Sequence, residues 1–135
     1  METDRRMTEA TTIRVRYVEC DPMGVAHHTV YPVWFEMGRT EMLRSSGIQY
    51  AQLERDGVLL AVVTLEVKYK RPARYDDELQ LTTTLVSCGH VKIEHRYELR
   101  CKDELLTTAR TVLACLSRDG TPREVPDALR SIQAE

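Results

Sequence analysis

The spacing of apolar positions changes twice along the chain, and each change marks a new kind of element. Ile13, Val15 and Tyr17 alternate with Arg14, Arg16 and Val18, the two-residue period of a half-buried strand. Asp21-Pro22 ends it, because proline donates no ladder hydrogen bond and disfavours helical geometry in the residue before it. Gly24 then permits a positive φ that other residues resist. A helix is predicted from about His28 or Thr29 to Ser46. Trp34, Met37, Gly38 and Met42 recur on it every three to four residues, as one buried stripe. Pro32 falls in its first turn, where a missing N–H costs nothing, and Ser45-Ser46-Gly47 is a natural stop. Gly38 weakens the helix locally, so its place in the stripe implies close approach of another backbone.

A short second helix over residues 49–55 ends at Asp56-Gly57, and the period returns to two. Strands are predicted over residues 58–70, 78–88, 90–102 and 104–118, separated by short turns. In the third of these Val91, Ile93, His95, Tyr97 and Leu99 share one side. Pro126 opens a final short helix to residue 134, and residues 1–11 read as a frayed polar tail. Short turns between consecutive strands mean antiparallel pairing. The prediction is an α+β chain, with a five-stranded antiparallel sheet packed on one long helix. One helix leaves such a sheet with open edges, so edge-strand dimerisation is expected.

At 135 residues this is one domain of ordinary size. A net charge of −2 gives no general attraction to nucleic acid or membrane. No apolar run approaches the about 20 residues of a spanning helix, and the first residues lack a signal-peptide core, so a cytoplasmic protein is expected. Cys20, Cys88, Cys101 and Cys115 are scattered without metal or redox spacing and read as reduced thiols, Cys115 in the core.

The stretch with chemical content is residues 17–44. Asp21 lies on a tight loop a few residues before a helix whose first N–H groups have no internal partner. Those donors, with the positive end of the helix dipole, suit an oxyanion or a polarised carbonyl. A carboxylate facing such donors is the layout of an acyl-transfer or hydrolytic site. Read alone, Asp21 is equally a turn residue that bonds its own backbone. His27 and His28, adjacent on a predicted helix, point about 100° apart and make a poor chelating pair, so no metal is predicted. They suit pocket shaping or water orientation.

Residues 19–43, ECDPMGVAHHTVYPVWFEMGRTEML, resemble the signature of hot-dog fold acyl-CoA thioesterases of the 4-hydroxybenzoyl-CoA thioesterase family, including its YbgC-like branch. Asp21, Gly24, Val25, Tyr31, Glu36 and Arg39 carry that resemblance, and VKYKRPARYDDEL, residues 67–79, is similar to a second family segment. The resemblance covers the chain from about Ile13 to Val125. It implies a curved sheet wrapped around one helix and hydrolysis of an acyl-CoA thioester to free acid and coenzyme A, with no cofactor. Asp21 matches the catalytic carboxylate, as general base or nucleophile, and the backbone N–H of His28 matches the carbonyl-polarising donor. Gly24, Val25, His27 and Tyr31 fall in the substrate-binding stretch. The family binds coenzyme A at a subunit interface near basic residues. Lys68, Lys70, Arg71 and Arg74 are candidates for its phosphates, or else are solvated edge charges. In the turn of residues 87–92, where aromatic-substrate relatives carry a basic cluster, only His90 and Lys92 remain. A homodimer or homotetramer is implied, and acyl carrier protein is an alternative carrier of the thioester.

Three further readings stay beside this one. Glu36 is a reserve catalytic carboxylate, although with Arg39 three residues on it reads first as a helix-surface ion pair. A non-catalytic acyl-thioester binding module and a hydroxyacyl-thioester dehydratase using His27 or His28 are the functional rivals. A cone-shaped sheet of the ketosteroid isomerase type is the rival fold.

Overall fold

The computed structural model describes residues 7–134 of the protein. Strand β1 (Thr8–Arg14) leads through a 3-10 turn (Tyr17–Glu19) and a loop into helix α1 (Tyr31–Ser45) and the short α2 (Tyr50–Arg55). Strands β2 (Leu59–Tyr69), β3 (Glu78–Cys88), β4 (Lys92–Cys101) and β5 (Glu104–Leu116) follow, then α3 (Asp127–Ala134). The five strands form one antiparallel sheet in the order β1-β3-β4-β5-β2, so β1 and β2 are its edges. No helix among the described residues is long and apolar enough to cross a membrane.

The sheet curls because β2 and β3 each carry an irregularity, at Val62/Thr64 and Leu85/Ser87, and an extra residue in one strand bends it. α1 lies in the concave face and buries Tyr31, Trp34, Phe35, Gly38 and Met42. This is the hot-dog arrangement the resemblance implied. Met37, predicted to belong to the buried stripe, is instead 42% exposed. At about 100° per residue it sits about 120° round the helix from Tyr31, while the buried residues lie within about 60°. Gly38 fulfils its prediction. A Cβ there would stand 2.8 Å from Leu81 Cδ2 and would overlap the Thr83 hydroxyl, so helix and β3 approach as only glycine allows.

The first strand departs from its prediction. It begins at Thr8 rather than near Ile13, and Ala10 and Ile13 pair with Thr82 and Leu79. Residues 8–11 are therefore edge strand, not tail; residues 1–6 lie outside the described residues. Val15 is still held, its N–H donating to the Asp77 carbonyl at 3.0 Å, but Tyr17–Glu19 then turn as a 3-10 helix.

Candidate active site

The loop after the 3-10 turn is closed by its own backbone. Cys20 bridges Ala26, and Val25 bridges Arg74 from the segment between β2 and β3. The Ala26 N–H donates to the Ala73 carbonyl and the His27 N–H to the Glu19 carbonyl, both at 2.8 Å. Gly24 adopts φ +79°, with open space around it, so conformation rather than crowding selects glycine.

Asp21 divides its carboxylate. Oδ1 accepts the Met23 N–H at 2.8 Å and the Val25 N–H at 3.4 Å, which is the turn role read from sequence. Oδ2 makes no hydrogen bond with the described residues. One oxygen thus holds the loop while the other has no partner among the described residues.

α1 starts at Tyr31, two to three residues later than expected, with Val30 as its cap. The helical winding nevertheless begins earlier, since the Val30 N–H donates to the His27 carbonyl at 2.9 Å. The His28 N–H stands at the head of this winding and has no partner among the described residues. The His28 carbonyl, in the peptide that follows, accepts the Tyr69 O–H at 2.8 Å from the end of β2. His27 and His28 precede α1, and their rings stack 4.4 Å apart instead of diverging as on a helix. His27 Nδ1 lies 2.7 Å from Thr29 Oγ1 and accepts the Thr29 N–H at 3.2 Å. Among the described residues no three His, Cys, Asp or Glu side chains are grouped to hold a metal ion.

Tyr31 supports this site rather than lining it. It is 2% exposed, its hydroxyl accepts the Ala73 N–H at 3.3 Å, and its ring meets those of Trp34 and Tyr69 at 4.9 Å. Burial pushes its hydroxyl pKa up. Glu19, which sequence reasoning passed over, anchors the other side. It is buried, Oε1 accepts the Arg16 N–H at 2.8 Å, and Oε2 accepts the Trp34 indole N–H at 3.1 Å and the Arg16 guanidinium at 3.2 Å. Burial raises its pKa, but these bonds outweigh burial and hold it below the usual carboxylate value. The signal for it was the only tryptophan, since a buried indole N–H requires an acceptor. Tyr69 was also missed, because in VKYK it reads as one more strand residue.

The basic candidates divide. Lys68 and Lys70 are exposed beside Tyr69, Arg71 pairs with Glu104 at 3.2 Å, and Arg74 is bridged to the Asp21 loop through Val25. His90 and Lys92 lie elsewhere. Lys92 aligns through Ala114 with Ala61, eight positions from Tyr69, roughly 25 Å along the sheet. His90 Nδ1 lies 3.0 Å from the Arg130 guanidinium and 3.4 Å from Glu124, against α3. Within one chain they are not brought to Asp21. Glu36 and Arg39 form no ion pair either: Arg39 donates to Tyr97 Oη at 3.0 Å, and Glu36 is exposed.

Comparison with known proteins places this geometry. A family model described as the thioesterase-like superfamily matches residues 15–133. YbgC of Escherichia coli, an acyl-CoA thioester hydrolase, is 31% identical over 125 residues, 91% of each chain. YneP of Bacillus subtilis, a putative acyl-CoA thioesterase, is 36% identical over 87 residues, covering 64% of this chain and only 63% of YneP. A DHNA-CoA thioesterase from Staphylococcus aureus superposes with a TM-score of 0.88 at 32% identity, over 94% of this chain and 91% of that one.

Proposed function

This chain belongs to the thioesterase-like superfamily, and from that premise we propose that it hydrolyses an acyl-CoA thioester to a free acid and coenzyme A. One observation carries the assignment of the site: the free Oδ2 of Asp21 and the unpartnered His28 N–H belong to one loop whose backbone is fixed by Glu19, Ala73 and Tyr69. The substrate carbonyl oxygen accepts the His28 N–H, which strengthens as negative charge develops on it. In one route Asp21 removes a proton from water, the hydroxide adds to the carbonyl carbon, and the tetrahedral oxyanion collapses. The C–S bond breaks, and coenzyme A leaves as a thiolate that takes back the proton from Asp21. In the other, Oδ2 itself attacks, coenzyme A leaves, and water then hydrolyses the mixed anhydride. Neither route uses a resident metal or cofactor.

The site is completed by a second copy. On the β2 edge and the outer face of α1, Val62, Val63, Leu65, Val33 and Met37 are exposed, an apolar surface of the kind that marks an interface. Antiparallel pairing of two β2 edges about a two-fold axis reverses one chain against the other. The end of the partner carrying its own counterparts of His90 and Lys92 then comes to the Tyr69 end of this chain. Those groups join Lys68, Lys70 and Arg74 as point charges for the coenzyme A phosphates. A thioester on acyl carrier protein presents the same arm.

The test is thiol release from a panel of acyl-CoAs, alongside light scattering for the dimer. Steady release from at least one thioester by a dimer is the expected result. A folded protein that retains acyl-CoA and releases no thiol from any member contradicts hydrolysis, and a monomer contradicts the shared site.

A further inference from the structure

Beneath the C-terminal half of α1 lies a cavity of about 450 Å³, a size suited to a small molecule. Its wall is mainly hydrocarbon, from Met42 of α1, Leu85, Ile93 and Leu113 of the sheet, and Leu129 and Ile132 of α3. Asp21, His27, His28 and Tyr31 take no part in it.

Two polar groups interrupt this wall. Arg39 is half-buried, donates to Tyr97 Oη at 3.0 Å, and has no ion pair with the described residues. His95 is 7% exposed, and its Nδ1 has no hydrogen-bond partner. Glu36 and Glu54 also border the cavity but are exposed, where solvent screens them. A cation without a counter-ion beside a buried nitrogen without a partner is an unfavourable pair to leave unfilled. Burial, with the Arg39 charge adding to it, pushes the His95 pKa down to about 3. The ring is therefore neutral, and either nitrogen can carry its one proton. The cavity thus presents one positive charge and an apolar wall.

We propose that this cavity binds an apolar carboxylate, its chain against Leu85, Ile93 and Leu113 and its oxygens on Arg39. The chemistry has two sources: the free acid that thioester hydrolysis releases, or an acyl group with an oxygen anion at its far end. That link to a source rests on the proposed hydrolysis; the binding itself does not.

Titration calorimetry with decanoate and decan-1-ol on the wild type decides it. Decanoate binds about tenfold or more tightly than the alcohol, because only it makes charge-assisted hydrogen bonds. Arg39→Met removes that preference and Arg39→Lys restores part of it, while Asp21→Asn binds decanoate like the wild type. Equal affinity for acid and alcohol, or no binding of either, overturns the proposal without recourse to any variant. Loss of binding in folded Asp21→Asn also overturns it, since the acid then sits in the catalytic loop. A decanoate complex that raises KM for acyl-CoA identifies the cavity as the acyl end of the active site. One that leaves turnover unchanged identifies a separate site for the free acid.

Discussion

The Glu19 carboxylate accepts the Trp34 indole N–H at 3.1 Å, and this bond ties the loop carrying Asp21 to the first turn of α1. Glu19 also takes two bonds from Arg16, so one buried side chain sets the relative position of strand, loop and helix. Glu19→Gln keeps the size but cannot accept all three bonds. It is expected to cost about 1–3 kcal/mol by urea unfolding, and to lower kcat more than it raises KM. Because its folded pKa lies below the ordinary carboxylate value of 4.5, its contribution is complete above that value. It is lost as pH falls through the folded pKa.

Gly38→Ala tests the close approach of α1 and β3. A methyl group meets Leu81 and Thr83, so the helix-propensity gain of alanine is outweighed by overpacking. A loss of about 1–3 kcal/mol in chemical unfolding is expected. A variant as stable as the wild type contradicts the packing described for this contact.

His95 gives the fold a pH dependence of definite sign. Its folded pKa is about 3 against an ordinary value of 6.5, so between those values the unfolded chain binds the extra proton. Stability therefore rises with pH across this window and falls on acidification. Between pH 6.5 and 5, where most carboxylates stay ionised, the urea midpoint of the wild type falls. His95→Gln flattens that slope, and an unchanged slope in the variant excludes His95 as its source.

Tyr69→Phe removes the O–H that holds the His28 carbonyl, one peptide beyond the His28 N–H, and leaves an exposed carbonyl that water can satisfy. Thermal stability is expected to change by less than about 1 kcal/mol. Turnover falls several-fold, through a less fixed donor. A variant with unaltered kcat shows that β2 does not position this peptide.

Strands β3 and β4 were legible because they alternate cleanly: β4 buries Ile93, His95, Tyr97 and Leu99 in turn, whereas β5 buries a continuous run over residues 111–115. β3 begins and ends as predicted, and the shared loop of Asp21 and Gly24 was visible from turn chemistry and the family signature. β1 was not legible, since TEATTIR buries little beyond Ile13 and is held by pairing with β3. The start of α1 was displaced because His28 and Thr29 belong to a turn that winds into the helix. Partnerships across long separations, such as Glu19 with Trp34, Tyr69 with His28 and Arg39 with Tyr97, leave no local periodicity to read. The expected Glu36–Arg39 pair failed for that reason: a distant tyrosine competes for the guanidinium.

The most direct test of the account is the rate of coenzyme A release by wild type and Asp21→Asn on the best acyl-CoA of the panel. Asparagine preserves the Oδ1 contacts to Met23 and Val25 while removing both base and nucleophile. A folded variant slowed by at least about 100-fold is the predicted result. A variant that turns over at the wild-type rate contradicts the assignment of Asp21 and moves the chemistry to another carboxylate, with Glu36 first in line.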